Sequence, residues 1–238
     1  MRREEIKNEI KDAKFESLDY VMKFFELMPE WLVESFQLIR LKKDNIFIRE
    51  NEDVELVYVL LKGSVKATDY RVFGITYDFM RFHPMSTFGC MEVLLSLKHY
   101  KTTLITVTDC TMLVTSRSNF EAWLRENQKA YMLESNMMVS QLLEQGRMER
   151  IFLFIQGTDR LMYLLMQLYE ENATERSLWI IPIKRQQMSD YTGLSIRTIN
   201  RGIRKLEADK YITKHRSQIS MTVEQYMKMK SYIMEKVE

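Results

Sequence analysis

The sequence predicts an α+β chain in three parts. An N-terminal antiparallel β-roll (a cupin-like jelly roll) is followed by a long helix and a C-terminal winged helix-turn-helix. Three observations predict it. Short runs rich in Val, Ile, Thr and aromatics alternate with turn residues from Gln37 to Thr115. From Gln128 to Phe154 there is no Pro, and the only Gly is Gly146. From Lys184 to Arg216 a helix, a tight turn, a second helix and a hairpin follow in order, with basic residues throughout. The expected divisions are 1–117 for N-terminal helices and roll, 118–157 for the long helix and hinge, and 158–238 for the winged domain.

The first 36 residues read as helix, with Phe15, Leu18, Val21, Met22, Phe25 and Leu27 recurring at mostly helical spacing. Strands are expected at Leu38–Leu41, Ile46–Ile48, Leu56–Leu61, Val65–Ala67, Ile75–Phe82, Thr102–Val107 and Met112–Thr115. Turns fall at Lys43-Asp44-Asn45, Lys62-Gly63-Ser64, Phe73-Gly74, His83-Pro84 and Thr108-Asp109. Gly63, Gly74 and Gly89 supply tolerance of positive φ. Helix resumes at Ser118-Asn119-Phe120-Glu121, which has the form of a capping box.

The stretch from Gln128 to Phe154 suffices for a helix of about 40 Å. Its apolar residues occupy more than one face. Tyr131, Met138 and Leu142 share one, with Leu133, Met137 and Val139 around it and Leu143 beyond. Two apolar faces need two partners. One face can lie on the roll; the other can pair with its copy in a second chain. Gln156-Gly157-Thr158 breaks the pattern. Thr158 then opens a helix whose apolar face is Leu161, Leu164, Leu165 and Leu168, ending in the polar stretch Glu170–Arg176.

Composition narrows the class. The chain has 238 residues, 46% of them hydrophobic, which excludes a disordered polymer. Two cysteines, Cys90 and Cys110, exclude a disulfide scaffold or a four-Cys metal site built from this chain alone. Both read as small core residues. The N-terminus has no signal-like apolar run, and no stretch approaches a membrane span, so a cytoplasmic protein with reduced thiols and no membrane partner is expected. Net charge is +2, yet Lys184–Arg216 holds nine basic and three acidic residues. One end is therefore suited to a polyanion.

Gln186–Tyr191 reads as a first helix, Thr192-Gly193-Leu194 as the turn and Ser195 as an N-cap. In the helix that follows, Ile199, Ile203 and Leu206 form the buried stripe. That leaves Arg197, Asn200, Arg201 and Arg204 outward, with Ile196 near the start. Arg suits guanine and Asn suits adenine through paired hydrogen bonds. Ile196, Arg197, Asn200 and Arg201 are the expected base contacts, because the N-terminal end of such a helix enters the major groove. Ser195, Thr198 and Arg204 are expected at the DNA backbone. Tyr211–Thr213 and Gln218–Met221 read as wing strands flanking Lys214-His215-Arg216-Ser217, which brings Lys214 and Arg216 to phosphate. Thr222–Gln225 caps a final helix. No catalytic constellation, Gly-rich phosphate loop or metal-spaced His cluster is present in the sequence.

These segments resemble the cyclic-AMP receptor/Fnr (Crp/Fnr) family of bacterial transcription regulators over roughly residues 30–222. The similar pieces are Leu60-Leu61-Lys62-Gly63-Ser64-Val65-Lys66, Phe88-Gly89 at the start of the ligand cassette, Gly157–Leu161 after the hinge, and Gly193–Arg201 in the reading element. The resemblance implies a homodimer on a twofold-related double-stranded DNA site, with RNA polymerase and a small-molecule effector as candidate partners. By the same resemblance the effector pocket falls on Phe88, Gly89, Cys90, Glu92, Lys101 and Thr102. The dimer interface falls on Tyr131, Met138 and Leu142.

The chain departs from the family pattern in its cassette. Cyclic-AMP-binding members follow the cassette Gly with Glu and have an Arg-Ser pair some ten residues later. Here Gly89 is followed by Cys90-Met91-Glu92, and the pair reads Lys101-Thr102. Lysine offers a point charge in place of the planar fork. Weak or no cyclic-nucleotide binding is expected. In the reading helix, Ile196-Arg197 stands where that receptor has Arg-Glu, so a different target sequence follows. Two cysteines are too few for the oxygen-sensing branch, and His83 and His99 are poorly placed for the haem branch. No cofactor is evident. Two other readings stand beside the regulator: a small-molecule-sensing module that does not act on transcription, and a DNA-binding dimer without effector.

Overall fold

The computed structural model describes residue 6 and residues 18–70, 76–155, 157–172, 178–216 and 218–237. Two compact units result. One takes in Met1–Arg71 with Asp78–Leu143, the other Val72–Tyr77 with Glu144–Glu238.

The first unit contains helices α1 (Leu18–Leu27) and α2 (Glu30–Ser35), and Ile6 is helical as well. The helical stretch expected over the first 36 residues is thus interrupted between α1 and α2. Pro29 has no N–H, and it disfavours helical backbone at Met28. Its carbonyl instead accepts the N–H groups of Leu32 and Val33, so it starts α2. Phe15 lies outside the described residues, as do Phe73, Gly74 and Ile75.

Among the described residues eight strands build the roll: β1 (Gln37–Leu41), β2 (Ile46–Ile48), β3 (Leu56–Lys62), β4 (Val65–Tyr70), β5 (Thr76–Phe82), β6 (Thr87–Phe88), β7 (Thr103–Thr106) and β8 (Cys110–Ser116). They form two four-stranded sheets, ordered β1-β8-β3-β6 and β2-β7-β4-β5. Strand β3 shows why its sequence is almost wholly apolar. Val57, Val59 and Leu61 face one core with Phe24, Phe120 and Trp123, whereas Tyr58 and Leu60 face another with Ala67, Leu104 and Met112. A strand buried on both faces loses the usual polar alternation. Short helix α3 (Cys90–Leu94) follows β6.

Helix α4 (Arg117–Glu126) starts slightly earlier than the sequence suggests. Ser116, not Ser118, is the N-cap: its hydroxyl accepts the Asn119 N–H at 3.2 Å. Strand β8 runs through Ser116 and holds it extended, which is the backbone an N-cap needs. Trp123 Nε1 donates to the Leu27 carbonyl at 3.0 Å and pins α4 to the end of α1. Helix α5 spans Gln128–Phe154 as expected. Leu133, Met137 and Met138 pack on the core shared with α1 and α4.

The second unit holds α6 (Thr158–Asn172), β9 (Leu178–Ile180), α7 (Arg185–Thr192), α8 (Ile196–Ala208), β10 (Thr213–His215), β11 (Gln218–Thr222) and α9 (Val223–Val237). Strands β10, β11 and β9 form a three-stranded antiparallel sheet, with β9 an addition to the expected hairpin. Leu161, Leu164, Leu165 and Leu168 of α6 are buried against Ile199, Ile203 and Leu206 of α8 and Ile212 and Ile219 of the wing. Thr222 and Gln225 cap α9 reciprocally: each backbone N–H donates to the other's side chain, at 3.0 and 3.3 Å. Among the described residues no helix is long and apolar enough to cross a membrane.

Candidate nucleic-acid interface

The turn between α7 and α8 is fixed by its own side chains. Gly193 adopts φ +68°, where a Cβ would strain the backbone, and its N–H donates to Ser189 O at 2.9 Å. The Ser189 hydroxyl donates to Leu194 O at 2.6 Å, and the Thr192 hydroxyl donates to Met188 O at 2.7 Å. Thr192 is therefore the last residue of α7 rather than the first of the turn. Ser195 caps α8 by accepting the Thr198 N–H at 3.2 Å, with the two hydroxyls 2.9 Å apart.

Beyond that cap the two arcs of α8 separate cleanly. Ile199, Ile203 and Leu206 are buried. Ile196, Arg197, Asn200, Arg201 and Arg204 are exposed, and Thr198 is half-buried. An open groove of about 570 Å³ runs along these six residues. Three guanidinium groups and one amide thus stand on one helical arc, without a carboxylate among them. Such a surface donates hydrogen bonds and attracts polyanions. Ile196 is 43% exposed at the helix start, placing an apolar surface beside the donors. Lys205 and Lys210, absent from the expected contacts, are exposed as well.

The wing follows from the same packing. Buried Ile212 and Ile219 anchor it, and Lys214 pairs with Ile219 across β10 and β11. Lys214, His215 and Arg216 are left exposed, with Arg216 at φ +56° where the hairpin turns. Ser217 is outside the described residues.

In the roll, Phe88 is buried in an aromatic group, with ring centroids 5.5 Å from Phe47 and 5.1 Å from Phe82. Gly89 has φ +89°, and a Cβ there would lie 2.9 Å from the Leu56 carbonyl, so β3 and the start of α3 meet at a position only Gly fits. Cys90 is fully buried, and burial pushes its thiol pKa well up, which is the environment of an inert thiol. Glu92 is buried and accepts the backbone N–H of Lys101 at 3.1 Å. The Lys101 side chain is exposed. Thr102 is half-buried, and its hydroxyl lacks a hydrogen-bond partner among the described residues. The fold brings Glu92 and Lys101 together, but through the main chain. His99 sits at the surface with Nδ1 3.0 Å from Asp53, and His83 closes a turn by accepting the Ser86 N–H.

On α5 the expected interface residues divide. Tyr131 and Leu142 are exposed, and Met132, Val139 and Leu143 extend their apolar arc. Met138 is half-buried against the roll-side core, at the arc's edge. Glu134, not singled out by the sequence, is a buried carboxyl on the opposite side of the helix. A charge on a long helix suggests a solvated position, and the partners of Glu134 lie far away in the chain.

Comparison with known proteins adds to this geometry. A cyclic nucleotide-binding domain model matches residues 38–127, and a Crp-like helix-turn-helix domain model matches residues 159–231. No curated protein matches the chain in sequence. Among solved structures, the c-di-GMP-responsive global regulator CLP of Xanthomonas campestris is 16% identical, with 87% of this chain and 99% of that one covered and a TM-score of 0.72. FixK2 of Bradyrhizobium japonicum is 18% identical, covering 82% and 96%, at a TM-score of 0.65. A crp/fnr-family regulator from Eubacterium rectale is 11% identical, covering 87% and 99%, at 0.73. Along this chain the cyclic nucleotide-binding domain match precedes the helix-turn-helix match. With both domain models matched in that order, the chain belongs to the Crp/Fnr family of DNA-binding transcription regulators.

Proposed function

We propose that the chain acts in the cytoplasm as a homodimer that reads a twofold-related operator. Ile196, Arg197, Asn200 and Arg201 meet base edges. Ser195, Thr198, Arg204, Lys214 and Arg216 meet the DNA backbone. The two chains pair through the exposed arc of α5 around Tyr131 and Leu142. RNA polymerase and an effector held near Phe88, Gly89, Cys90, Glu92, Lys101 and Thr102 are the further partners in this reading. One observation carries it most: a capped helix with its apolar arc fully buried and its Arg and Asn side chains exposed along the other arc.

Arg201 lies within the first two turns of α8, where such a helix reaches the groove floor. Arg201→Ala should cost roughly 1–3 kcal/mol per half-site and flatten preference at one base position. Binding selection from random duplexes, followed by titration of the selected site, measures both. Full sequence preference in the variant would mean that α8 does not read bases in this orientation.

A further inference from the structure

Glu134 is 1% exposed on α5, inside the core formed with the roll. The Tyr20 hydroxyl of α1 donates to its Oε1 at 2.6 Å, from 114 residues away. The buried Cys90 thiol, at the start of α3, lies beside the same carboxyl. Thr87 of β6 borders it, yet its buried hydroxyl makes no well-formed hydrogen bond. Two turns along the same side of α5, Gln141 Nε2 donates to Ser86 Oγ at 3.5 Å. A polar seam therefore runs between α5 and the cassette. Among the described residues the titratable groups facing Glu134 are Tyr20 and Cys90, with Glu92 further along α3 adding negative charge near Cys90. None of these is a cation.

We propose that Glu134, Tyr20 and Cys90 form a proton-holding clasp between the cassette and the long helix, and that loss of the Glu134 proton loosens α5 and weakens the homodimer as pH rises. This rests on the pairing of chains through α5.

The chemistry is that of a buried acid short of donors. A carboxylate offers about four lone-pair sites, and here one well-formed donor, the Tyr20 hydroxyl, reaches it among the described residues, with the Cys90 thiol and Thr87 hydroxyl beside it. Ionised, it draws in water, and water reaches it only by parting α5 from the roll. The exposed arc of Tyr131, Val139 and Leu142 lies on the same stretch of helix, so its presentation to a second chain depends on how α5 is seated. Burial raises the Glu134 pKa, and the neighbouring Tyr20, Cys90 and Thr87 donor groups pull the other way without cancelling it. A raised acid pKa in the closed state means the closed state holds the proton more tightly. Between the ordinary carboxylate range and the raised value, higher pH therefore favours opening.

Sedimentation equilibrium of the full chain from about pH 5 to pH 9 tests this, with Glu134→Gln and Tyr20→Phe beside the parent. The parent's dimer dissociation constant should rise at least about ten-fold across the window, one proton being lost per chain. Glu134→Gln keeps an acceptor for Tyr20 and has no proton to lose, so its dimer should stay tight and flat with pH. Tyr20→Phe removes a donor to the carboxylate and should move the transition to higher pH. A destabilised core alone would change affinity without moving a pH midpoint. Parallel profiles for parent and Glu134→Gln, or a pH-independent parent dimer, would overturn the clasp and leave the dimer reading intact. A monomer at every pH would overturn the dimer reading and the proposal with it.

Discussion

Glu92 and Lys101 meet through a backbone N–H rather than around a shared cavity, and this sets what the cassette can hold. Recognition of a cyclic phosphate calls for a planar fork of donors. A lysine cannot supply one, and the Lys101 ammonium carries its charge on an exposed side chain. The buried Glu92 carboxyl already accepts the Lys101 N–H, so one of its acceptor positions is committed to holding the loop. Cyclic AMP and cyclic GMP should therefore bind only weakly or not at all. Calorimetry at high nucleotide concentration, paired with a DNA titration, checks it. Micromolar binding together with a rise in DNA affinity would show that Lys101 and Thr102 suffice for the phosphate. The cassette is only partly legible in the sequence for the same reason. Gly89 and Phe88 mark its start by residue type, whereas the engagement of Glu92 by a main-chain donor nine residues on leaves no trace in composition.

Among elements, α5 carries the clearest sequence signal and the most consequential hidden one. Its limits are legible because Gln128–Phe154 holds no breaker beyond Gly146. Its surplus of apolar residues is legible as two faces, and Leu142 and Tyr131 are indeed exposed while Leu133 and Met137 pack on the core. Spacing does not assign Met138 to the outward face, since it lies where the two arcs meet. Glu134 is invisible in the sequence because a charged residue on a long helix reads as solvated until its distant donors are placed. Strand β9 escapes a sequence reading because Leu178-Trp179-Ile180 has no alternation of its own and becomes a strand only by pairing with β11. The cap at Ser116 lies two residues from the expected one because several hydroxyls compete there, and the end of β8 decides between them. Leu142→Glu tests the outward arc. Leu142 is half-exposed in the single chain, so the change should fold normally. A carboxylate forced into an apolar pair costs several kcal/mol, which should shift sedimentation to the monomer. An unchanged dimer would place the interface elsewhere.

Across the whole molecule, charge is segregated. Lys184–Arg216 holds nine basic and three acidic residues, and the chain as a whole is only +2, so the remainder is net acidic. The basic surplus is thereby concentrated in one stretch of the winged domain, and a net-acidic remainder adds no attraction to a polyanion. Two kinds of contact are separable on that domain. Arg197, Asn200 and Arg201 follow the exposed arc of α8, whereas Lys214 and Arg216 stand on a hairpin anchored by Ile212 and Ile219 and present point or delocalised charge. Each neutralised phosphate releases counterions, so the logarithm of affinity falls with the logarithm of salt at a slope of about 0.9 per phosphate. Lys214→Ala should weaken selected and random duplexes by the same factor and reduce the salt slope by about 1 for each phosphate that the lysine neutralises. Arg201→Ala should do the opposite, narrowing the gap between selected and random duplexes. Titrations of both variants at several salt concentrations separate the two roles. A Lys214→Ala protein with weakened affinity for the selected site alone would place the wing in a groove, with its lysine reading sequence rather than charge.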